Sequence, residues 1–182
     1  MIDATAVLIT RELEWPAEAR VEGFVSHHVR VKSPNVWERY RIAAECASDD
    51  VYVQDDDCEI DIDRLYHVYV REGRRMITNA IPFGHQQNYK DTGVTLIGFG
   101  CLFPRKLAVE FVAQRQRWVD VFGETLVDTE CDRIFTFVNQ PHHNVVMPVR
   151  EFRRANCMSN RPGHYQVRDS LIKRLHEVCD RA

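Results

Sequence analysis

The chain lacks a long hydrophobic run, a CxxC pair, a large net charge and a glycine-rich loop near its start. Each absence removes a class of protein. A bilayer-spanning helix needs about 20 consecutive apolar residues, and no stretch of the sequence reaches that length. The opening MIDATAVLITRE has no basic leader followed by a long apolar core, so no signal peptide is read and a cytoplasmic location is expected. The six cysteines, Cys46, Cys58, Cys101, Cys131, Cys157 and Cys179, are scattered along the chain. That spacing argues against a zinc knot or a disulfide framework and for free thiols in a reducing compartment. A net charge of −3 gives no global attraction to nucleic acid and leaves only a local basic face for it. LITRELEWP contains no glycine, so the glycine-rich basic phosphate loop expected of a nucleotidyltransferase is missing near the N-terminus.

What remains is an ordinary globular balance, 45% hydrophobic and 28% charged over 182 residues. Residues 1–182 read as a single domain without repeats or a linker. Residues 4–10 (ATAVLIT) form a continuous apolar run and predict a buried strand. Residues 28–31 predict a short strand, and 51–54, 76–81, 93–97 and 144–149 predict further ones. Ser33 and Pro34 look like a helix cap and first helical residue. Val36, Tyr40, Ala43 and Ala44 carry that helix to about Cys46. Ile62, Leu65, Tyr66 and Tyr69 mark another helix that stops near Gly73. Pro104 opens a third, with Leu107, Ala108 and Phe111 on one face. A helix is expected from Thr129 to about Asn139, and a last one carries Val167, Leu171, Leu175 and Val178. Alternating strands and helices predict an α/β sandwich with a mostly parallel central sheet flanked by helices. In such sheets ligands sit beyond the carboxyl ends of the strands.

At one of those ends the sequence runs VYVQDDDCEID, an apolar strand driven into Asp55, Asp56 and Asp57. Adjacent carboxylates repel, and burial makes that worse. A hard divalent cation, magnesium or manganese, would neutralise them. Continued as a strand, Asp55 and Asp57 would share one side and Asp56 would take the other. A solvated acidic loop is the plain alternative. A calcium loop would want glycine at its sixth position, where Ile60 stands. A phosphatase-type nucleophilic aspartate would need a Thr/Lys pattern that is not nearby.

VYVQDDDCEID resembles the DxD region of GT-A-fold nucleotide-sugar glycosyltransferases of the bacterial and phage type. SPNVWERYRIAAEC before it is similar to the asparagine-to-arginine helix leading into DxD. GVTLIGFGCLFPRK resembles the glycine-rich acceptor-side strand and the helix after it. DTECDRIFT resembles the segment with the catalytic acid, and RPGHYQVRD the C-terminal histidine segment. These segments come in the family's order and cover most of the chain.

The resemblance implies a Rossmann-like GT-A domain and a metal-dependent transfer of sugar from a nucleotide-diphosphate sugar to a hydroxyl acceptor. It implies manganese or magnesium held by Asp57, Asp55 and His164, with His142 and His143 as rival ligands. Thr10, Arg11, Arg39, Asp55, Asp56 and Gly100 would line the donor, with Arg133, Arg161 and Arg168 as weaker phosphate contacts. Asp132 would be the base of an inverting reaction, with Asp128 and Glu130 as rivals. Thr129 and Asp132 also fit a capping box at a helix start, a purely structural role. Gly98 and Gly100 flank Phe99 and would let backbone approach a sugar, or would serve tight packing. VRVKSPN lacks the family's nucleobase aspartate, which leaves the nucleotide open.

The short chain leaves little for an acceptor lid, which suits a macromolecular acceptor or a site completed by a second subunit. Arginines at 71, 74 and 75, at 115 and 117, and at 150, 153 and 154 would track phosphates. A hydroxymethylated base in phage-type DNA is therefore one candidate acceptor, beside a protein or glycan. Nothing points to a membrane partner. A metal-dependent nucleotidyltransferase of similar fold and a non-catalytic nucleotide-binding module are the alternatives.

Overall fold

Side-chain alternation explains how the central strand is buried. In β3 (Asp50–Asp55), Val51 and Val53 enter one hydrophobic cluster and Tyr52 enters the other, and residues 50–54 are all buried. A strand covered on both faces needs a packed layer on each side. The computed structural model, which describes residues 4–10, 27–32, 35–55, 58–80, 93–151 and 162–179, supplies both.

Before β3 come β1 (Thr5–Thr10), β2 (His27–Lys32) and α1 (Glu38–Glu45). After it come β4 (Cys58–Glu59), α2 (Ile62–Arg71), β5 (Ile77–Ala80) and β6 (Cys101–Pro104). Then follow α3 (Arg105–Ala113), α4 (Arg115–Phe122), α5 (Glu124–Asn139), β7 (His143–Val146), β8 (Arg150–Glu151) and α6 (His164–Cys179). Among the described residues the main sheet has six strands in the order β2-β1-β3-β6-β5-β7, and β4 pairs with β8 separately. The larger cluster joins Val7, Val51, Val53 and Phe103 to residues of α1, α3, α4, α5 and α6. The smaller one joins Ala6, Tyr52 and Leu102 to Leu65 and Tyr69 of α2. The chain is thus an α/β protein with helices on both faces of its sheet.

Four expectations need correction. The sheet is mixed, not mostly parallel: β1–β2, β1–β3 and β5–β7 are parallel, but β6 runs antiparallel to both β3 and β5. The reversal follows from the loop before β6, which brings the chain back at the carboxyl end of β3, where Val53 faces Cys101. Residues 93–97 are not a strand. Val94 and Ile97 are buried in the larger cluster, and the Thr95 N–H donates to Thr136 Oγ1 of α5 at 3.2 Å instead of to a ladder. The first helix begins at Glu38, later than Pro34, because Asn35 Oδ1 takes the Trp37 N–H at 2.8 Å in a turn before it. Ser33 and Pro34 themselves lie outside the described residues, as do Arg11 and Ile81.

The fourth correction concerns α5. It starts at Glu124, not Thr129, because Gly123 with φ +84° closes α4 and lets α5 begin directly after it. Thr129 is therefore inside the helix, its hydroxyl donating to the Thr125 carbonyl at 2.8 Å, and no capping box forms with Asp132. Strand 144–149 shortens to β7, and on α6 Val167 is exposed while Arg168 is buried. Among the described residues Cys46, Cys58, Cys101, Cys131 and Cys179 are free thiols. No helix there is long and apolar enough to cross a membrane.

Candidate active site

Strand parity carries Asp55 onto the face of β3 that packs under α1 and α5, the side of Val51 and Val53. It is the last residue of β3, level with Ile9 of β1, so it stands at a carboxyl edge of the sheet beside the end of β1 at Thr10. Two backbone bonds fix α1 above it. The Val36 and Trp37 N–H groups donate to the Asp128 carbonyl of α5 at 2.7 and 3.3 Å. One helical turn beyond Asp128 lies Asp132, and α1 presents Arg39 and Tyr40 to it.

Arg39 is the hub. Its Nη2 donates to Asp55 Oδ1 at 2.6 Å and its Nη1 to Asp132 Oδ2 at 2.8 Å. The Arg39 side chain is 2% exposed, Asp132 is 25% exposed and Asp55 is 49% exposed. Burial opposes the guanidinium charge, but the carboxylates of Asp132 and Asp55 outweigh it and hold its pKa above the ordinary value. Arg39 Nε is buried and makes no hydrogen bond among the described residues. The second Asp132 oxygen, Oδ1, accepts from the Tyr40 hydroxyl at 2.7 Å. Burial raises the Asp132 pKa, the Asp55 charge adds to that, and Arg39 and Tyr40 pull the other way; the net direction is up. The site thus holds two carboxylates on one buried cation, one of them a carboxylate with raised pKa.

The turn at Gly98–Phe99 closes over Asp55. The Asp55 N–H donates to the Gly98 carbonyl at 2.8 Å, and Cys58 Sγ lies 3.2 Å from the same oxygen. A Cβ on Gly98 would stand 2.6 Å from Asp55 Cγ, so only glycine lets the carboxylate lie there. Gly100 is buried with φ +103°, and the space of its missing side chain is taken by Ile60, which accounts for that glycine by packing. Behind the strand end, Tyr52 donates to Gln54 Oε1 and Gln54 Nε2 donates to the Cys58 carbonyl. These bonds tie the chain leaving β3 back onto it.

Of the acids at this strand end, Asp55 is described, and Asp56 and Asp57 lie outside the described residues. His164 opens α6 with Nδ1 3.9 Å from Glu130 Oε1. Glu130 is buried and also pairs with Arg133. Among the described residues no three or more His, Cys, Asp or Glu side chains gather as a metal site. The other rivals sit elsewhere. His142 donates its N–H to the Met76 carbonyl and lies 3.6 Å from Glu72, at the amino end of β5. Asp128 pairs with Arg115 at 3.0 Å, and Arg168 pairs with Asp169 and covers the Tyr165 ring. Arg161 lies outside the described residues.

Several cations of the basic runs are engaged among the described residues, while Arg153 and Arg154 lie outside them. Arg74 pairs with Asp50, Arg115 with Glu124 and Asp128, and Arg117 lies over Trp118. Tyr40 is the site residue that periodicity hides, because it reads as one more core position of α1. The available signal was its hydroxyl, since a buried tyrosine needs a hydrogen-bond partner.

Compared with known proteins, the chain matches no family model and no curated protein.

Proposed function

We propose that the chain is a metal-dependent glycosyltransferase with a GT-A-type, Rossmann-like domain. It moves a sugar from a nucleotide-diphosphate sugar to a hydroxyl acceptor. The observation that carries the reading is the Asp55–Arg39–Asp132 array. One carboxylate ends a central strand at the edge where α/β sheets bind ligands, and a second, with raised pKa, is held by the same guanidinium.

In this reading Asp55 faces the donor diphosphate. Its Oδ1 is held by Arg39, and among the described residues Oδ2 accepts no hydrogen bond. The Asp55 side chain is half exposed, and a carboxylate oxygen is the donor type that magnesium and manganese take, so the residue's chemistry suits such an ion. Asp55, Asp57 and His164 would hold it, and a bound ion would neutralise the leaving diphosphate. Thr10, Arg11 and Asp56 would complete the donor site. Arg39, buried between two acids, acts on the donor through Asp55.

Asp132 serves as base in an inverting transfer. It takes the proton of the acceptor hydroxyl as the acceptor oxygen bonds to the sugar C1. The bond from C1 to the phosphate oxygen breaks, and its electron pair leaves with the nucleoside diphosphate. The acceptor is a hydroxyl, with DNA, protein and glycan as its candidate carriers.

The test is the product released from a panel of nucleotide sugars with manganese. Nucleoside diphosphate supports the transferase, and pyrophosphate released instead from a nucleoside triphosphate supplied with a sugar phosphate would assign the chain to nucleotidyl transfer. Binding without either product would make it a nucleotide-binding module. Asp132→Asn should slow release by about 10²- to 10⁴-fold, the range of a general base.

A further inference from the structure

Neighbouring residues of α1 grip the two oxygens of Asp132 separately. Arg39 takes Oδ2 and the Tyr40 hydroxyl takes Oδ1. Tyr40 is fully buried, and its ring lies 4.5 Å from Phe135 and 5.0 Å from Phe111, centroid to centroid. Aromatic packing on this scale holds the ring, and with it the direction of the hydroxyl. An ionised carboxylate offers about four lone-pair positions, so two donors leave room for an acceptor hydroxyl.

We infer that Tyr40 is a positioning residue for the base: its hydroxyl fixes the orientation in which the Asp132 carboxylate meets the acceptor hydroxyl. The inference rests on the proposed transferase reading for its role in turnover. The hold on Asp132 itself does not depend on that reading. Arg39 alone would give the carboxylate charge compensation but one anchored oxygen, leaving it free to turn about that contact.

Among the described residues, the charged and titratable groups facing Asp132 are Arg39 and Tyr40 from α1, Asp55 from β3, Cys101 from β6, and Cys131 beside it on α5. Burial, then the Asp132 charge, hold the Tyr40 hydroxyl protonated far above its ordinary range, so it is always the donor. Its bond lowers the Asp132 pKa against the rise from burial. Loss of the hydroxyl should therefore move the Asp132 titration upward.

The experiment uses Tyr40→Phe in the full chain, which keeps the ring and removes only the hydroxyl. The Asp132 carboxyl carbon is followed by NMR in protein labelled with carbon-13 aspartate, alongside binding of UDP-, GDP-, CDP- and ADP-sugars with manganese and their turnover. The expected result is an Asp132 titration at higher pH than in wild type, unchanged donor binding, and kcat lowered about 10-fold, the value of one hydrogen bond, with KM unchanged. The acid limb of the pH profile should move up with the titration. Adding Tyr40→Phe to Asp132→Asn should cost no further turnover. An Asp132 titration identical in the two proteins would overturn the inference, as would a full additional loss in the double variant. A shifted titration in a chain that turns over no nucleotide sugar would uphold the grip of Tyr40 on Asp132 and remove the transferase reading instead.

Discussion

Gly98 is the surface against which the Asp55 carboxylate rests. Its carbonyl takes the Asp55 N–H at 2.8 Å, and a Cβ at residue 98 would stand 2.6 Å from Asp55 Cγ. Its φ is not positive, so a side chain there is excluded by that contact and not by the backbone.

Gly98→Ala should push the carboxylate off Arg39. Overpacking of this kind costs about 1–3 kcal/mol, so the protein should still fold. Metal-dependent nucleotide binding should fall sharply, while circular dichroism at room temperature stays that of wild type. Binding by calorimetry checks this, and wild-type affinity in Gly98→Ala would show that the position of Asp55 is unimportant.

Arg39→Met should destabilise more. It leaves Asp55 and Asp132 facing each other without the cation between them. Removing one partner of a buried ion pair costs about 3–5 kcal/mol, and the low end applies because both acids reach solvent. Urea denaturation at neutral pH measures the loss. The loss should shrink at low pH, where both acids are neutral.

If Asp132 is the proposed base, it sets the pH dependence of turnover. A base works only when deprotonated, and burial first, then the Asp55 charge, raise this pKa above the ordinary carboxylate range. The rate should therefore fall on acidification at a higher pH than an exposed aspartate would cause. Rates from pH 4 to 9 check it. A flat profile down to the ordinary aspartate range would exclude Asp132 as the base.

The amino end of β3 provides a control. Buried Asp50 accepts from the Tyr69 hydroxyl at 2.7 Å and pairs with Arg74. Tyr69→Phe should cost about 1–3 kcal/mol of stability through the lost bond to a buried acid. Nucleotide binding at the other end of the strand should not change, which separates loss of stability from loss of the site.

Much of the fold was readable because one period dominated each segment. Alternation or continuous burial marked β1 and β3, and helical spacing marked α2 and α3. GVTLIG misled because Val94 and Ile97 are buried by a loop whose Thr95 N–H pairs with a helix side chain, and local pattern carries no sign of such a partner. The helix α4 was hidden by its charged sequence, RQRWVDVF, in which Trp118 and Phe122 carry the burial. The acid at the strand end was legible from the order of residues in VYVQDDDCEID. Its partners were not: the meeting of Asp55, Arg39 and Asp132 depends on α1 docking against the Asp128 carbonyl, a long-range contact.

The most direct measurement is the melting temperature with nucleoside diphosphates and nucleotide sugars, each with and without manganese, on wild type and Asp57→Ala. A ligand that binds the native state raises it by mass action. The expected result is a rise that needs both nucleotide and metal and disappears in Asp57→Ala. No rise with any of these donors, with or without manganese, would contradict the assignment of this strand end as a nucleotide-sugar site.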